Sequence, residues 1–175
     1  MAHDKISSRE AIETFWESLK DRATVMLGAA GGDRSQPMTA FSEPDNGLVW
    51  FFTRNDTDLA QEAAGGAEAR LIFAAKDEKV FADISGALTI DHDRGRIERY
   101  WNPVVAAWYP DGKDDPHLTL MKFSPRTGQV WVSEKGLLGF AYEITKANVA
   151  KTQPDLGGSA KVSFEGRDGR SGIGP

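Results

Sequence analysis

Two threonines and an arginine lie within five residues of each other, in the segment Thr53-Arg54-Asn55-Asp56-Thr57. This segment leaves an apolar stretch and leads into a predicted short helix, Asp56–Ala64, which Gly65-Gly66 would end. Hydroxyl groups, a guanidinium and the free amides of a helix N-terminus all bind anions such as phosphate. Hydroxyls in front of a helix also serve simply as caps. The pattern therefore leaves two interpretations open, a phosphate subsite and a structural cap.

Three aromatic side chains, Trp50, Phe51 and Phe52, come directly before this polar segment, on a predicted strand that is apolar on both faces. Rings of this size most often fill the core of a small barrel. Beside a phosphate-sized anion site they would instead form an apolar platform for a planar ligand. Together the two features are typical of a site for flavin mononucleotide (FMN) or a similar ligand.

The composition excludes several other kinds of chemistry. The chain of 175 residues carries 21 basic and 26 acidic side chains and no cysteine. Without cysteine there is no disulfide, thiolate nucleophile or iron–sulfur cluster, and the three scattered histidines form no zinc-binding pattern. The net charge of -5 argues against a nucleic-acid partner, and no apolar run approaches the ~18 residues of a membrane span. We therefore expect a soluble, cytoplasmic, single-domain protein without a metal site.

Hydrophobic spacing predicts the elements that must position these residues. Ser7-Ser8-Arg9-Glu10 has the pattern of a capping box, and the apolar residues after it repeat at helical spacing until Lys20–Arg22. From there the period changes to two, which is typical of strands. The predicted strands are Ala23–Ala29, Ser35–Ser42, Leu48–Thr53, Ala69–Ala75, Val80–Asp91, Leu118–Phe123, Gln129–Ser133 and Ala160–Phe164. Further helices are predicted over Arg94–Trp101 and Gly136–Lys151.

Turn residues predict how these strands connect. The first three strands would form a meander, because Gly-Gly and Asn-Gly sequences stand between them. Leu118–Phe123 and Gln129–Ser133 would form a hairpin across Ser124–Gly128. The pattern predicts a mainly β (α+β) fold, an antiparallel barrel of about seven strands with short helices outside it. The glycine-rich end, Gly166–Pro175, is expected to be disordered.

From about Phe15 to Ser133 the sequence resembles the general stress proteins of the pyridoxamine 5'-phosphate oxidase-like superfamily. The resemblance is carried by motifs in a specific order and spacing. They are Gln36-Pro37-Met38-Thr39, Val49-Trp50-Phe51-Phe52-Thr53, Phe81-Ala82-Asp83-Ile84-Ser85-Gly86, Arg99-Tyr100-Trp101-Asn102-Pro103, Ala107-Trp108-Tyr109-Pro110-Asp111-Gly112 and Gln129-Val130-Trp131. The resemblance implies an antiparallel split β-barrel of about six to seven strands with peripheral short helices. It makes residues 1–165 the flavin-binding domain and residues 166–175 a tail.

The resemblance also implies where a cofactor would bind. The protein would be a homodimer with FMN, or with FAD or another flavin, at the subunit interface. One strand would run beside the flavin ring, a second would line the ring and the ribityl chain, two hydroxyls would bind the phosphate, and a tryptophan would reach the ring from the partner subunit. The candidate cofactor-binding residues are Gln36, Pro37, Met38, Thr39, Trp50, Phe51, Phe52, Thr53, Arg54, Thr57 and Trp131.

One position departs from the pattern of these relatives, which usually carry a lysine two residues after the second hydroxyl and pair it with the phosphate. Here the sequence is Thr57-Asp58-Leu59, so Arg54 or Arg34 would have to supply the positive charge. A lost charge-assisted hydrogen bond weakens binding by roughly 10- to 150-fold. We therefore expect FMN affinity to be lower than in relatives that keep the lysine.

The resemblance leaves three functions open. The first is a flavin-dependent oxidoreductase or flavin reductase associated with stress response, acting with a nicotinamide or small-molecule substrate. The others are a non-catalytic flavin carrier and a dimeric barrel without cofactor. No residue is identified as catalytic, because a flavin brings its own reactive centre.

Overall fold

A computed structural model describes residues 6–133, 136–151 and 157–164, so the predicted tail at Gly166–Pro175 and the domain boundary at residue 165 lie outside the described residues. The described residues form eight strands and five α-helices. The strands are β1 (Thr24–Ala29), β2 (Gln36–Thr39), β3 (Phe41–Glu43), β4 (Leu48–Arg54), β5 (Ala67–Ala74), β6 (Val80–Asp91), β7 (Leu118–Val132) and β8 (Gly158–Ser163). The helices are α1 (Ser8–Ser18), α2 (Asp58–Ala64), α3 (Arg94–Tyr100), α4 (Pro103–Ala106) and α5 (Gly136–Ala150).

The strands form one antiparallel sheet in the order β2-β1-β5-β6-β7-β4-β3, and β8 adds to β7. The two strands at the ends of this order, β2 and β3, follow each other in the chain with only Ala40 between them. The sheet must therefore curl until its two edges come together. This confirms the predicted mainly β fold, a split barrel with a few short helices.

The predicted strand over Ser35–Ser42 is two strands, so the predicted meander is interrupted at Ala40, although both of its pairings are present. The chain changes partner at Ala40, which is fully buried and donates its N–H to the carbonyl of Ala23 at 2.8 Å. Before this residue β2 pairs with β1, and after it β3 pairs with β4. A period of two continues through such a change, so spacing alone cannot reveal it.

The predicted hairpin across Ser124–Gly128 is wrong, because β7 runs unbroken for 15 residues. It pairs with β6 along nearly its whole length, and the register shifts between Ser85 and Gly86. Gly86 faces Pro125 at this shift. A bulge of this kind accommodates a proline, which has no N–H to give to the ladder. The proline and glycine that suggest a turn are thus the residues that let the strand continue.

Helix α1 closes one end of the barrel. Ser7 accepts the Glu10 N–H at 3.1 Å, as the capping pattern predicts, although the helix ends at Ser18 instead of near Lys20. Its buried face, with Phe15 and Trp16, packs against the main core. Full burial of one such side chain contributes about 1.5–3 kcal/mol. The helix thereby joins the barrel to the end of β8, where both rings contact Phe164.

A second, smaller core lies on the outer side of β3 and β4. It consists of the buried side chains Phe41, Trp50, Ile97, Val105, Tyr109 and Leu120. These residues attach α3 and α4 to the sheet. In the ranges given above, no helix is long and apolar enough to cross a membrane.

Candidate ligand site at the barrel split

The barrel opens between β2 and β4. On one side of Ala40, β3 pairs with β4, matching Phe41 with Trp50 and Glu43 with Leu48. The same register continued past Ala40 would match Thr39 with Phe52. Within the described part of the chain, however, no pairing joins β2 to β4. The gap between these two strands is therefore the natural entrance for a ligand.

Strand β2 presents a free edge to this gap. Ala40 donates its backbone N–H to Ala23, and in an antiparallel pair every second residue is hydrogen-bonded to the partner strand. The backbone amide and carbonyl of Met38 therefore point toward β1, and those of Thr39 point away from it. The carbonyl of Pro37 faces the same way, and Pro37 has no N–H. The edge therefore offers one donor and two acceptors to a ligand that lies alongside it.

A pocket of about 480 Å³ lies in front of this edge, and we call it the α4 pocket. Its lining residues are Asp21, Arg22, Pro37, Met38, Thr39, Phe41, Phe52, Asn102, Val104, Val105 and Trp108. Small-molecule sites have volumes of this order and combine apolar walls with a few polar groups. Four of the predicted site residues, Pro37, Met38, Thr39 and Phe52, meet here. The ring of Phe52 contacts that of Phe41 edge-on at 5.4 Å, forming an aromatic floor.

Helix α4 forms the opposite wall and was not among the predicted site residues. Asn102 begins this helix by accepting the amides of Val104 and Val105 at 3.0 and 3.3 Å, and Pro103 occupies the first helical position. The indole of Trp108 is 71% exposed at the pocket mouth. The Asn-Pro pair is a helix-start signal that sequence reasoning could have used. Nothing in the local sequence, however, places α4 beside β2.

The turn between α1 and β1 adds a cation to the α4 pocket. Asp21 and Arg22 both adopt left-handed backbone, with φ of 62° and 63°. This conformation is costly for residues other than glycine and is concentrated at functional sites. The Arg22 guanidinium forms no ion pair with any residue that the structure describes. It is therefore available to a ligand, although no sequence pattern pointed to it.

A second pocket of about 380 Å³ lies near the start of α2, and we call it the α2 pocket. It is lined by Leu27, Gly32, Asp33, Arg34, Gln36, Asp58, Leu59 and Glu62. Gln36 thus lines this pocket, whereas the next three residues of β2 line the α4 pocket. Arg34 is the cation among three carboxylates, and it makes no ion pair within the described ranges. Any phosphate here would depend on that guanidinium.

The hydroxyls of Thr53 and Thr57 lie together at the end of β4, with their Oγ1 atoms 3.3 Å apart. The Thr57 hydroxyl donates to the carbonyl of Arg54 at 2.9 Å and accepts from the Ala60 amide at 3.3 Å, so it caps α2. Thr53 is 8% exposed and lies opposite Thr119. The capping interpretation therefore holds for Thr57. The Thr53 hydroxyl contacts the Thr57 hydroxyl and keeps further hydrogen-bonding capacity for a ligand.

Arg54 is committed to a carboxylate. Its Nε and Nη2 donate to the two oxygens of Asp56 at 3.0 and 2.8 Å. These hydrogen bonds lower the pKa of Asp56 and raise that of Arg54. Of the two arginines considered for a phosphate, Arg54 is held in an ion pair and Arg34 is not.

The three remaining predicted residues lie away from both pockets. Phe51 is fully buried in the main core, and Trp50 is buried in the second core. At these two positions the strand is covered on both faces, so Trp50 and Phe51 could reach a ligand in the split only through their backbone. Trp131 lies on the far half of β7, 40% exposed and opposite Phe81. The structure therefore separates the rings of Trp50 and Phe51 from the pocket that Phe52 lines. Trp131 is expected to reach the flavin of the partner subunit, and that role stays a prediction.

Behind the aromatic floor lies a buried carboxylate, Glu43. It accepts hydrogen bonds from the indole of Trp50 at 2.8 Å and from Nη2 of Arg96 at 2.9 Å, and Asn46 also donates to it. Burial opposes its ionisation, but the hydrogen bonds from Arg96, Asn46 and Trp50 outweigh this and lower the pKa of Glu43 to about 2. Glu43 is thus an anion at neutral pH, and Tyr100, which hydrogen-bonds to it at 3.4 Å, contacts Phe41 in the pocket floor.

Comparison with known proteins gives a consistent picture. A model of the family described as pyridoxamine 5'-phosphate oxidase like matches residues 10–155. A Jannaschia structure assigned to general stress protein 26 is 35% identical, with 89% of this chain and 99% of that chain covered and a TM-score of 0.80. The general stress FMN/FAD binding protein of Xanthomonas citri is 40% identical, with 74% and 93% covered and a TM-score of 0.67. No curated protein matches the sequence.

Proposed function

The chain belongs to the pyridoxamine 5'-phosphate oxidase-like family, and on that premise we propose that it binds a flavin in the split between β2 and β4. The observation that carries the proposal is the unpaired edge of β2, which lies beside an aromatic floor and a pocket of about 480 Å³. A flavin ring is planar and apolar on its faces, and its pyrimidine edge carries donors and acceptors. The homologue from Xanthomonas citri is an FMN/FAD binding protein.

The residues around the α4 pocket, where the flavin ring would lie, fit this ligand. The amide and carbonyl of Thr39 and the carbonyl of Pro37 would hydrogen-bond to the ring edge, while Phe41 and Phe52 would contact its face. On the other side, Val105 and Trp108 would exclude water from it. When bound, a flavin supplies hydride- and electron-transfer chemistry that no protein side chain provides.

The phosphate end fits less closely. Leu59, where relatives of this type carry a lysine, is 5% exposed and packs in the main core. The polar groups that remain are the Thr53 hydroxyl at the end of β4 and, in the α2 pocket, the amide of Gln36 and the Arg34 guanidinium. One guanidinium facing Asp33, Asp58 and Glu62 makes a weak phosphate site. We therefore infer that the ring end supplies most of the affinity.

We propose further that the protein is a cytoplasmic homodimer and a flavin-dependent oxidoreductase or flavin reductase. The dimer is supported by four apolar side chains exposed on neighbouring strands, Met26, Ile72, Phe81 and Trp131. Met26 lies opposite Ile72, and Phe81 lies opposite Trp131, so they form two adjacent pairs on one surface. Exposed apolar surface of this kind marks protein interfaces.

The absorbance spectrum of the purified protein, followed by titration with FMN and riboflavin, tests the flavin proposal. We expect flavin bands or saturable binding of both ligands. A colourless protein that binds neither at tens of micromolar would show that flavin binding has been lost. An anaerobic titration with NADH or NADPH then separates the two flavin functions, since a carrier leaves the bound flavin oxidised and a reductase does not.

A further inference from the structure

Glu43 connects β3 to the neighbouring strand β4 and to α3, which lies 53 residues further along the chain at Arg96. Its side chain is only 4% exposed. Its oxygens accept from Trp50 on β4 at 2.8 Å, and from Nη2 and Nε of Arg96 on α3 at 2.9 and 3.3 Å. The Tyr100 hydroxyl, at the other end of α3, donates to it at 3.4 Å. A single carboxylate therefore holds both ends of α3 against the sheet.

Arg96 is itself fixed on two further sides. Its guanidinium stacks on the Trp50 ring, with 5.3 Å from Cζ to the ring centroid. Its Nη1 donates to Asp93, the cap of α3, at 2.8 Å. An arginine held by two carboxylates and an aromatic ring loses most of its rotamer freedom. The position of α3 is therefore tied to that of Trp50 and Glu43.

The end of α3 continues directly into the α4 pocket. The Tyr100 ring contacts Phe41 at 5.4 Å, and the next residue, Trp101, contacts Phe52 at 6.1 Å. Asn102 then donates to the carbonyl of Tyr100 at 3.0 Å and caps α4. The floor and the wall of the pocket are thus both packed against residues whose positions depend on α3.

We propose that Glu43 is a positioning residue for the α4 pocket, holding α3 and thereby fixing α4 at a set distance from β2. The nature of the ligand rests on the proposed function, but the positioning itself does not. The other ion pairs that tie α3 to its surroundings or lie along it, Arg94 with Asp114, Arg94 with Glu98 and Lys113 with Glu98, involve side chains about a third or more exposed. Exposed pairs contribute little to stability, so they cannot replace a buried carboxylate with several donors.

The first measurement needs no ligand. Hydrogen exchange is followed in the wild-type protein, in Glu43→Gln and in the control Asp83→Asn. The control removes a carboxylate on β6 that pairs with Arg70 of β5 at 2.6 Å, a pair in which α3 takes no part. We expect Glu43→Gln to raise the exchange rates of residues 94–109 at least tenfold while those of β6 and β7 change little. Asp83→Asn should leave residues 94–109 as in wild type.

The second measurement reads the pocket itself with FMN as the probe. We expect the dissociation constant of FMN to rise at least tenfold in Glu43→Gln. The flavin absorption band should also change, because the flavin ring would be more exposed to water. Both should remain as in wild type in Asp83→Asn. If Glu43→Gln fails to fold, Arg96→Lys is measured in its place. This variant keeps the positive charge but loses the paired hydrogen bonds from Nε and Nη2 of Arg96 to Glu43.

The outcomes separate the two proposals. Exchange of residues 94–109 that rises equally in both variants would overturn the positioning role, as would unchanged FMN affinity and spectrum in Glu43→Gln. If the wild-type protein binds no FMN, the flavin proposal falls. The exchange experiment alone then decides whether Glu43 holds α4 in place.

Discussion

The indole nitrogen of Trp50 donates a hydrogen bond to Glu43 over 2.8 Å, and this bond is the innermost contact of a buried polar cluster. Within the described residues, Trp16 is the opposite case. Its indole nitrogen is buried and has no hydrogen-bond partner there. The two tryptophans are similarly buried, but Trp50 has this hydrogen bond and also carries the stacked Arg96 guanidinium. Comparing them therefore measures what the polar contacts of Trp50 contribute.

Trp50→Phe should destabilise the protein more than Trp16→Phe. The first substitution loses a hydrogen bond to a charged acceptor, which contributes about 1.5–3 kcal/mol. The second removes a donor that is buried without a partner, which partly offsets the lost ring contacts. We expect a difference of at least ~1 kcal/mol in the free energy of unfolding, measured by urea denaturation at pH 7. Equal losses would show that the bond to Glu43 adds nothing net.

Stability should depend on pH through Glu43. Its pKa is lowered from 4.5 to about 2 in the folded protein. A lowered pKa stabilises the fold fully above the unfolded value, and this contribution is lost as pH falls from about 4.5 toward about 2. The contribution is on the order of 3 kcal/mol.

In Glu43→Gln this part of the acid dependence should be absent. The stability difference between wild type and variant should therefore shrink between pH 5 and pH 2.5, measured as urea midpoints in a common buffer. Other carboxylates titrate in both proteins and cancel in the difference. A difference that stays constant over this range would contradict the low pKa of Glu43.

Gly86→Ala should disrupt the pairing of β6 with β7. A Cβ at this position would collide with the carbonyl oxygen of Ser124 and approach Cζ of Phe123 at 2.9 Å. Overpacking of this kind costs about 1–3 kcal/mol. Gly65→Ala is the matched control, because nothing lies within 4 Å of its Cβ and its φ is -87°. The control should be neutral or stabilising by up to about 1 kcal/mol, as read from thermal unfolding.

The phosphate end should be distinguishable by comparing FMN with riboflavin, which lacks the phosphate. Arg34→Gln should weaken FMN binding by about 10-fold or more, the value of a charge-assisted hydrogen bond, and leave riboflavin unchanged. Arg54→Gln should change neither, because Asp56 already holds that guanidinium. Fluorescence titration of both flavins measures the constants. A loss of FMN affinity in Arg54→Gln with none in Arg34→Gln would reverse the assignment.

The hydroxyls can be tested in the same way. Thr53→Val keeps the shape of the side chain and removes its hydroxyl, so FMN should bind about 10-fold more weakly while riboflavin binds as before. Thr53→Ser is the control and should behave as wild type. Thr57 is less informative, since removal of a helix cap alone costs about 0.5–2 kcal/mol. Equal FMN constants for the valine and serine variants would exclude Thr53 from the phosphate site.

Local signals predicted most of the secondary structure. The caps at Ser7 and Thr57 agree with the sequence patterns, because a cap is an interaction between residues three positions apart. Strands β5, β6 and β8 were also found within a few residues of their bounds. Partner choice was predicted only in part, because it depends on contacts between distant segments. Ser124–Gly128 is where this produced a wrong hairpin, and at Ala40 the predicted strand divides between two partners.

Of the residues that line the α4 pocket, the sequence predicted those on β2 and β4 and missed those on α4 and in the turn before β1. Pro37, Met38, Thr39 and Phe52 do lie together at the split. They could be predicted because the family resemblance assigns them to the two strands that border it. The rings of Trp50 and Phe51 lie in the two cores. At these positions the strand is buried on both faces, so neither ring has surface left for a ligand. Arg22 and Trp108 come from segments 86 residues apart in the chain (108 minus 22) and meet only in the fold.

Pro37 has a consequence beyond ligand binding. An open strand edge is a template on which another chain can add its own strand, and such edges promote aggregation. The split leaves β2 with an open edge, and the proline removes one of the donors that an incoming strand would need. A ligand lying in the split would cover the groups that remain. Emptying the site would then expose a surface for uncontrolled self-association, so ligand occupancy would also protect the protein's solubility.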